Sequence, residues 1–287
     1  MTKGSRLMKK HLNIFFPQWQ GGGQGKSTYE GAVAIKKQYL GRKAFRDIEV
    51  SLDDCSIENN IFGYKPIVRQ LERCRNLVMQ EQPATIFTIG GGCDIDIVPV
   101  SYLNSRLKGD ITVLWLDAHG DLNTPESSKT KAFHGMPLRA LLGEGDARVL
   151  SQAFSVLLPS QVILLGDRDL EEAELHYIEE HHIKRLKVSD IESDINRVVE
   201  AIKSKGSANI YLHIDLDVLD PREFPFVQVP VPDGLKAATL ARLLTVLRQQ
   251  FHVLGLSLVE YQPADKQQSE ILKNIVDMGS ALSAVTK

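Results

Sequence analysis

The chain is short of cysteine, of net charge and of long apolar runs, and each shortage narrows what it is. Its three cysteines, Cys55, Cys74 and Cys93, are an odd number without the paired spacing of a zinc site, which suits a reducing, cytoplasmic compartment better than a disulfide scaffold. A formal net charge of −2 over 287 residues, with Lys and Arg scattered, supplies no global basic field. That argues against nucleic acid or an acidic membrane surface as the main partner. No apolar run approaches the length of a membrane span. Residues 12–16, which follow a basic N-terminus, are too few for a signal-peptide core and are closed by Pro17. Residues 1–10 read as a disordered tail, with Met8 as a second candidate start. There is no internal repeat, low-complexity tract or linker, so one domain over 1–287 is expected.

Short apolar runs alternate with longer segments of helical period. Strands are expected at 12–16, 85–89, 111–117, 161–165, 185–188, 209–215 and 253–259, with a weaker run at 48–52. Most are apolar on both faces, as in a parallel sheet covered by helices on each side. Helices are expected at 64–80, 170–180, 191–205, 235–250 and 270–285, with Asp190 and Ser193 offering N-cap chemistry for the one that follows Val188. The fold class is therefore α/β: a doubly wound, mostly parallel sheet of about eight strands between helical layers. Ligands of such folds gather at the carboxyl ends of the strands.

Two acidic clusters end strands nearly a hundred residues apart, Asp117-Ala118-His119-Gly120-Asp121 and Asp215-Leu216-Asp217-Val218-Leu219-Asp220-Pro221. Asp117, His119 and Asp121 recur at a spacing of two, as do Asp215 and Asp217, and in an extended segment that spacing points them to one face. Four carboxylates brought together repel and raise one another's pKa unless cations neutralise them. A pair of divalent metals sharing bridging carboxylates is the natural resolution. One such motif alone reads equally as helix caps or loop solvation; two, each behind an apolar strand, do not.

Other motifs carry less. Gly21-Gly22-Gly23-Gln24-Gly25-Lys26-Ser27 resembles a phosphate-binding loop, but a glycine is required where Gln20 stands, so a tight surface loop is the simpler reading. A nucleotide-binding protein remains the rival class. Gly90-Gly91-Gly92-Cys93-Asp94 ends another strand. Cys93 there reaches the same crevice, although a free cysteine is more often a small core residue. His134, after the polar loop 123–131, is an acid–base candidate or a solvent-exposed histidine. Glu260 closes the last strand, placed to bind a cationic substrate group or simply to cap a helix.

The order and content of these segments resemble the ureohydrolases, the family of arginase, agmatinase and their relatives, and most closely the arginase branch. The resemblance implies a three-layer αβα fold and two Mn2+ ions that activate water against a guanidinium carbon, releasing urea. It implies that Asp117 and Asp215 bridge the metals, that Asp121 binds one, and that Asp217 with His119 binds the other. Asp121 would orient the attacking water and handle its proton, His134 would shuttle a proton, and Glu260 would pair with the guanidinium. Asn123 and Thr130 match positions that recognise an α-carboxylate, and Glu171 stands where an aspartate meets the α-amino group. The substrate implied is a small guanidinium compound, arginine first; agmatine or another amidino or formimino compound is the alternative. Homo-oligomers, trimers or hexamers, are usual in the family. One departure matters: the family's turn supplies a histidine ligand where this chain has Cys93. Thiolate suits zinc, iron or cobalt better than manganese, so Cys93 ligates an altered metal, Asp94 substitutes, or the protein is a weakly active or non-catalytic relative.

Overall fold

The computed structural model describes residues 10–53, 55–263 and 269–282; the tail expected at 1–10 thus lies, Lys10 apart, outside the described residues. In chain order the elements are β1 (His11–Phe16), α1 (Ser27–Tyr39), β2 (Arg46–Asp47), β3 (Ile57–Glu58), β4 (Ile61–Phe62), α2 (Tyr64–Glu81), β5 (Thr85–Gly90) and α3 (Ile97–Arg106). They continue with β6 (Thr112–Leu116), α4 (Pro137–Leu141), α5 (Ala147–Leu150), β7 (Val162–Leu165), α6 (Glu172–Glu180), β8 (Lys184–Leu186), α7 (Val188–Ser193) and α8 (Asn196–Lys205). The last are β9 (Asn209–Asp215), α9 (Ala237–Gln250), β10 (His252–Val259) and α10 (Glu270–Ser280).

Eight strands form one sheet in the order β2-β1-β5-β10-β9-β6-β7-β8, and every neighbouring pair is parallel. Strand parity divides the core. Leu114 and Leu116 of β6 and Ile210, Leu212 and Ile214 of β9 face one apolar layer, built with α1, α8, α9 and α10. Val113 and Trp115 of β6 and Tyr211 of β9 face the other, built with α2, α3, α4 and α6. A sheet covered on both faces needs apolar residues at odd and even positions alike, which is why these strands read as continuous runs.

Several expectations need correcting. The edge strand is Arg46–Asp47, not 48–52. Only Ile48 of that apolar group is inside, its N–H donating to Phe15 O at 2.8 Å, and Leu52 is exposed. The helix expected at 191–205 is two, because Asp194 is extended (φ −158°, ψ 108°) and its Oδ1 accepts from Asn196 N at 2.9 Å, opening α8. Asp190 is not an N-cap; it lies inside α7 and reaches back to Lys187 N at 3.1 Å, while Ser193 ends that helix. α3 escaped the sequence reading because it is buried from Ile97 to Asn104, and a helix buried all round has no polar face to give it a period.

The sheet order places β5, β10, β9 and β6 side by side, so the loops leaving their carboxyl ends share one crevice. The turn after β5 is locked in place. Gly92 N donates to Gln18 O at 3.1 Å, and Gly91 O accepts from Glu260 N at 2.7 Å. A Cβ on Gly91 would collide with the Gln18 carbonyl, a backbone atom that cannot step aside. Gly91→Ala should therefore lower stability by about 1–3 kcal/mol, read as a fall in the denaturant midpoint; an unchanged midpoint would show that the turn can relax.

Candidate metal centre

Each acidic motif turns away from its strand at the end. β6 stops at Leu116, and Asp121 sits in the left-handed region at φ +53°, as does Glu260 at φ +61°. Such backbone costs a non-glycine residue about 1–3 kcal/mol and concentrates at functional sites. After β9, residues Leu216–Val218 form a tight helical turn. The carboxylates thus converge through turns rather than through strand alternation: Asp117 Oδ1 accepts from His119 N at 2.6 Å, Asp215 Oδ1 from Asp217 N at 2.8 Å, and Asp217 Oδ1 from Ala118 N at 2.9 Å. This last bond stitches the two motifs together.

All six sequence-derived ligand candidates meet here. His119 Nδ1 lies 2.9 Å from Asp217 Oδ2 and 3.3 Å from Asp117 Oδ1. Cys93 Sγ donates to Asp215 Oδ2 at 3.0 Å. Three sets of donor atoms each lie within 4.8 Å of one another: Asp117, His119 and Asp217; Cys93, Asp117, Asp121 and His213; and Cys93, Asp215 and Glu260. Asp117 belongs to two of them. Asp215 falls with Cys93 and Glu260 rather than with His119. Asp94 is in none of the three, which leaves Cys93 as the donor of that turn; Asp94 is buried, and a Cβ on Gly21 would collide with its carboxylate. That packing explains the first glycine of the 21–27 loop. The loop's lysine, Lys26, donates to Leu52 O at 2.5 Å and lies over the Trp19 ring, so its ammonium already has partners and the phosphate-loop reading loses its main support.

The electrostatics fit cations. Burial and the charge of Asp217 push Asp215 well above the carboxylate range, and burial with Asp117 does the same to Asp121. Asp217 is pushed up to about 6 by burial and Asp117. Burial would raise Asp117 too, but the hydrogen bond and the charge of His119 hold it low. Burial would lower His119, yet Asp117 and Asp217 pull it far above its ordinary value. Buried anions this close draw in protons when no metal is bound. Asp117 Oδ2, His213 Nε2 and Glu260 Oε2 are buried with no hydrogen-bond partner, which is unusual unless an ion or a ligand completes them.

The centre forms one end of a cleft of about 230 Å³ lined by Asn123, Ser128, Thr130, His134, Glu171 and Glu260 among others. His134 Nδ1 is 3.1 Å from Glu260 Oε1, so neither the free-histidine nor the helix-capping reading survives. Burial alone would lower His134, but Glu260 holds it above its ordinary value. Farther along, Asn123 Nδ2 donates to Glu171 Oε1 at 3.2 Å, and Lys129 Nζ lies 3.4 Å from Glu171 Oε2. Thr130 is at the exposed rim, its Oγ1 accepting from Ala132 N at 3.2 Å.

A sequence model of the Arginase family matches residues 24–278. The chain belongs to the arginase family. It is 35% identical to the arginase of Staphylococcus aureus (strain MRSA252) over 228 residues, covering 76% of this chain and 75% of that one. Among solved structures it resembles Entamoeba histolytica arginase in complex with L-ornithine, with a TM-score of 0.83, 24% identity, and 96% and 98% of the two chains covered. It also resembles Bacillus caldovelox arginase, with a TM-score of 0.81, 26% identity and the same coverage. The three-layer αβα fold is thus that of the arginases, and the chain is an enzyme of the amidinohydrolase type.

Four residues in or behind the crevice were not singled out from the sequence. Ser128 is buried and lines the cleft beside Thr130. Glu174 accepts from Leu122 N at 3.0 Å and Glu171 N at 2.9 Å, fixing the loops that carry Asp121 and Glu171. Arg168 donates to Asp217 O at 2.7 Å and Val231 O at 2.8 Å, pinning the second acidic turn from behind. His213 stands two positions before Asp215 and continues its spacing of two, a signal that was there to be read.

Proposed function

We propose that this arginase-family chain hydrolyses the guanidinium C–N bond of arginine, with water giving urea and ornithine, at a site holding two divalent metal ions. The observation that carries this reading is the layout of one cleft: a buried carboxylate–imidazole–thiol cluster at its base and the Asn123–Glu171 pair farther out. A cleft so lined offers carboxylates to a cationic head and polar side chains to an amino acid tail. Asp117, His119 and Asp217 would hold one ion; Cys93, Asp117 and Asp121, with Asp215 alongside, would hold the other. Manganese is the family's metal, and the Cys93 thiol opens its side to softer ions. When bound, such ions would lower the pKa of water and so supply a nucleophile near neutral pH.

The chain's own groups do the rest. Glu260 Oε1 is taken by His134, and the buried, unpaired Oε2 receives a guanidinium N–H. A charge-assisted bond of that kind is strong and directional. Asp121, anchored by Trp115 Nε1 at 3.3 Å, accepts the proton that the attacking water gives up. His134, drawn towards protonation by Glu260, passes a proton to the departing amine. Asn123, Thr130 and Glu171 hold the tail. The same proposal includes a cytoplasmic homo-oligomer, trimer or hexamer, which sedimentation would check.

Glu171 sets specificity in this scheme, because only arginine carries an α-amino acid group for it to meet. Glu171→Ala should lower the ratio of kcat/KM for arginine over agmatine roughly tenfold or more, the loss of one hydrogen bond to a charged group. An unmoved ratio would remove Glu171 from the scheme. A wild type that prefers agmatine, guanidinobutyrate or formiminoglutamate would change the substrate and keep the reaction class.

A further inference from the structure

His213 sits on β9 with no exposed surface. Its ring stacks on Trp115, centroids 3.6 Å apart and planes 9° from parallel, so it cannot swing. Nδ1 is 2.7 Å from Asp96 Oδ2. Asp96 is in turn held by Tyr211 OH at 2.8 Å and by Ser257 Oγ. A carboxylate that accepts from an imidazole places the ring's proton on Nδ1 and leaves Nε2 bare. That bare Nε2 points at the acidic cluster. It has no hydrogen-bond partner, and the nearest carboxylate oxygen, Asp117 Oδ2 at 3.9 Å, has none either.

Two unpaired acceptors buried face to face are each destabilising. One cation between them satisfies both. Donors that each stand about 2.1 Å from a shared ion are at most about 4.2 Å apart, and this pair falls inside that limit. Cys93 Sγ and an Asp121 oxygen complete the same set within 4.8 Å.

We propose that His213, aimed by Asp96, is a ligand of the Cys93-side ion, giving that position a thiol–imidazole–carboxylate donor set that selects zinc, iron(II) or cobalt(II) over manganese. The proposal rests on the metal-centre reading above and deepens it. The imidazole comes from the middle of the sheet, on β9, two strands away from the turn that carries Cys93. The Asp117–His119–Asp217 side, which has no thiol, keeps the manganese-like preference, so the two positions differ in the metal they choose.

Cobalt(II) titration of the metal-free full chain reads this directly, because thiolate ligation gives a near-ultraviolet charge-transfer band that Cys93→Ser would abolish. Wild type should bind two ions, one of them carrying the band. His213→Ala should weaken that ion at least about 100-fold and spare the other, while Asp96→Asn should weaken it about 10–100-fold, the usual cost of losing the group that orients a ligating histidine. Two ions bound with wild-type affinity in both variants would overturn the proposal and make His213 a water-bridged core residue. Should His213→Ala not fold, proton NMR of the wild-type cobalt protein decides. Two strongly shifted, exchangeable imidazole N–H signals, one surviving in His119→Asn, support the assignment; a single signal lost in that variant overturns it. A wild type that takes up no divalent ion at all overturns the metal-centre reading itself, an outcome distinct from the failure of His213 alone.

Discussion

Asp117→Ala should leave the protein with neither ion and lower kcat/KM for arginine at least about 1,000-fold, about 4 kcal/mol of barrier. Asp117 is the one carboxylate common to the His119 set and the His213 set. Its Oδ1 is engaged by His119, and its Oδ2 faces His213. On the proposed reading, taking it away would remove a ligand from each of the two donor sets. Elemental analysis after dialysis, beside a urea assay, checks both halves of the expectation. Retention of two ions per chain would show that Asp117 does not serve both positions.

Glu260→Ala should cost roughly 2–5 kcal/mol, or about 30- to 5,000-fold in kcat/KM, without loss of metal. The carboxylate is only 3% exposed and its Oε2 is unpaired, so a guanidinium entering the cleft would leave water for a site that no longer neutralises it. Glu260→Gln keeps the shape and removes the charge, and should recover little. The metal content is the informative control. Glu260 also lies within ligand distance of Cys93 and Asp215, so an ion lost along with activity would make Glu260 a ligand rather than the partner of the substrate. His134 loses its hydrogen-bond partner in both variants, and the fall should accordingly appear in kcat as well as in KM.

The sequence was most legible where local chemistry is enough. Runs apolar at odd and even positions announced strands buried on both faces, and the positions of β1, β5, β7, β9 and β10 follow from that alone. The weaker readings lay where a neighbour decides. Arg46–Asp47 becomes an edge strand because β1 offers it a partner, not because its side chains favour one. The break between α7 and α8 turns on a single extended residue, Asp194, which no periodicity reveals.

The site divides in the same way. Sequence by itself determined that Asp117, His119, Asp121, Asp215 and Asp217 form two clusters at strand ends, because two such motifs, each behind an apolar run, are poorly explained as caps or loop solvation alone. Only the tertiary structure decided how they meet. Hydrogen-bonded turns aim them, since each strand ends before its cluster is complete, and the adjacency of β5, β10, β9 and β6 brings together residues from 93 to 260. The tertiary structure also decided that His213 belongs with them. A histidine inside a strand reads as core, and its Nε2 becomes meaningful only when Asp96 and Trp115, each more than ninety residues away in sequence, fix the ring against Asp117. Spacing along a chain records which side chains share a face, whereas the direction of a lone pair depends on what packs behind the ring.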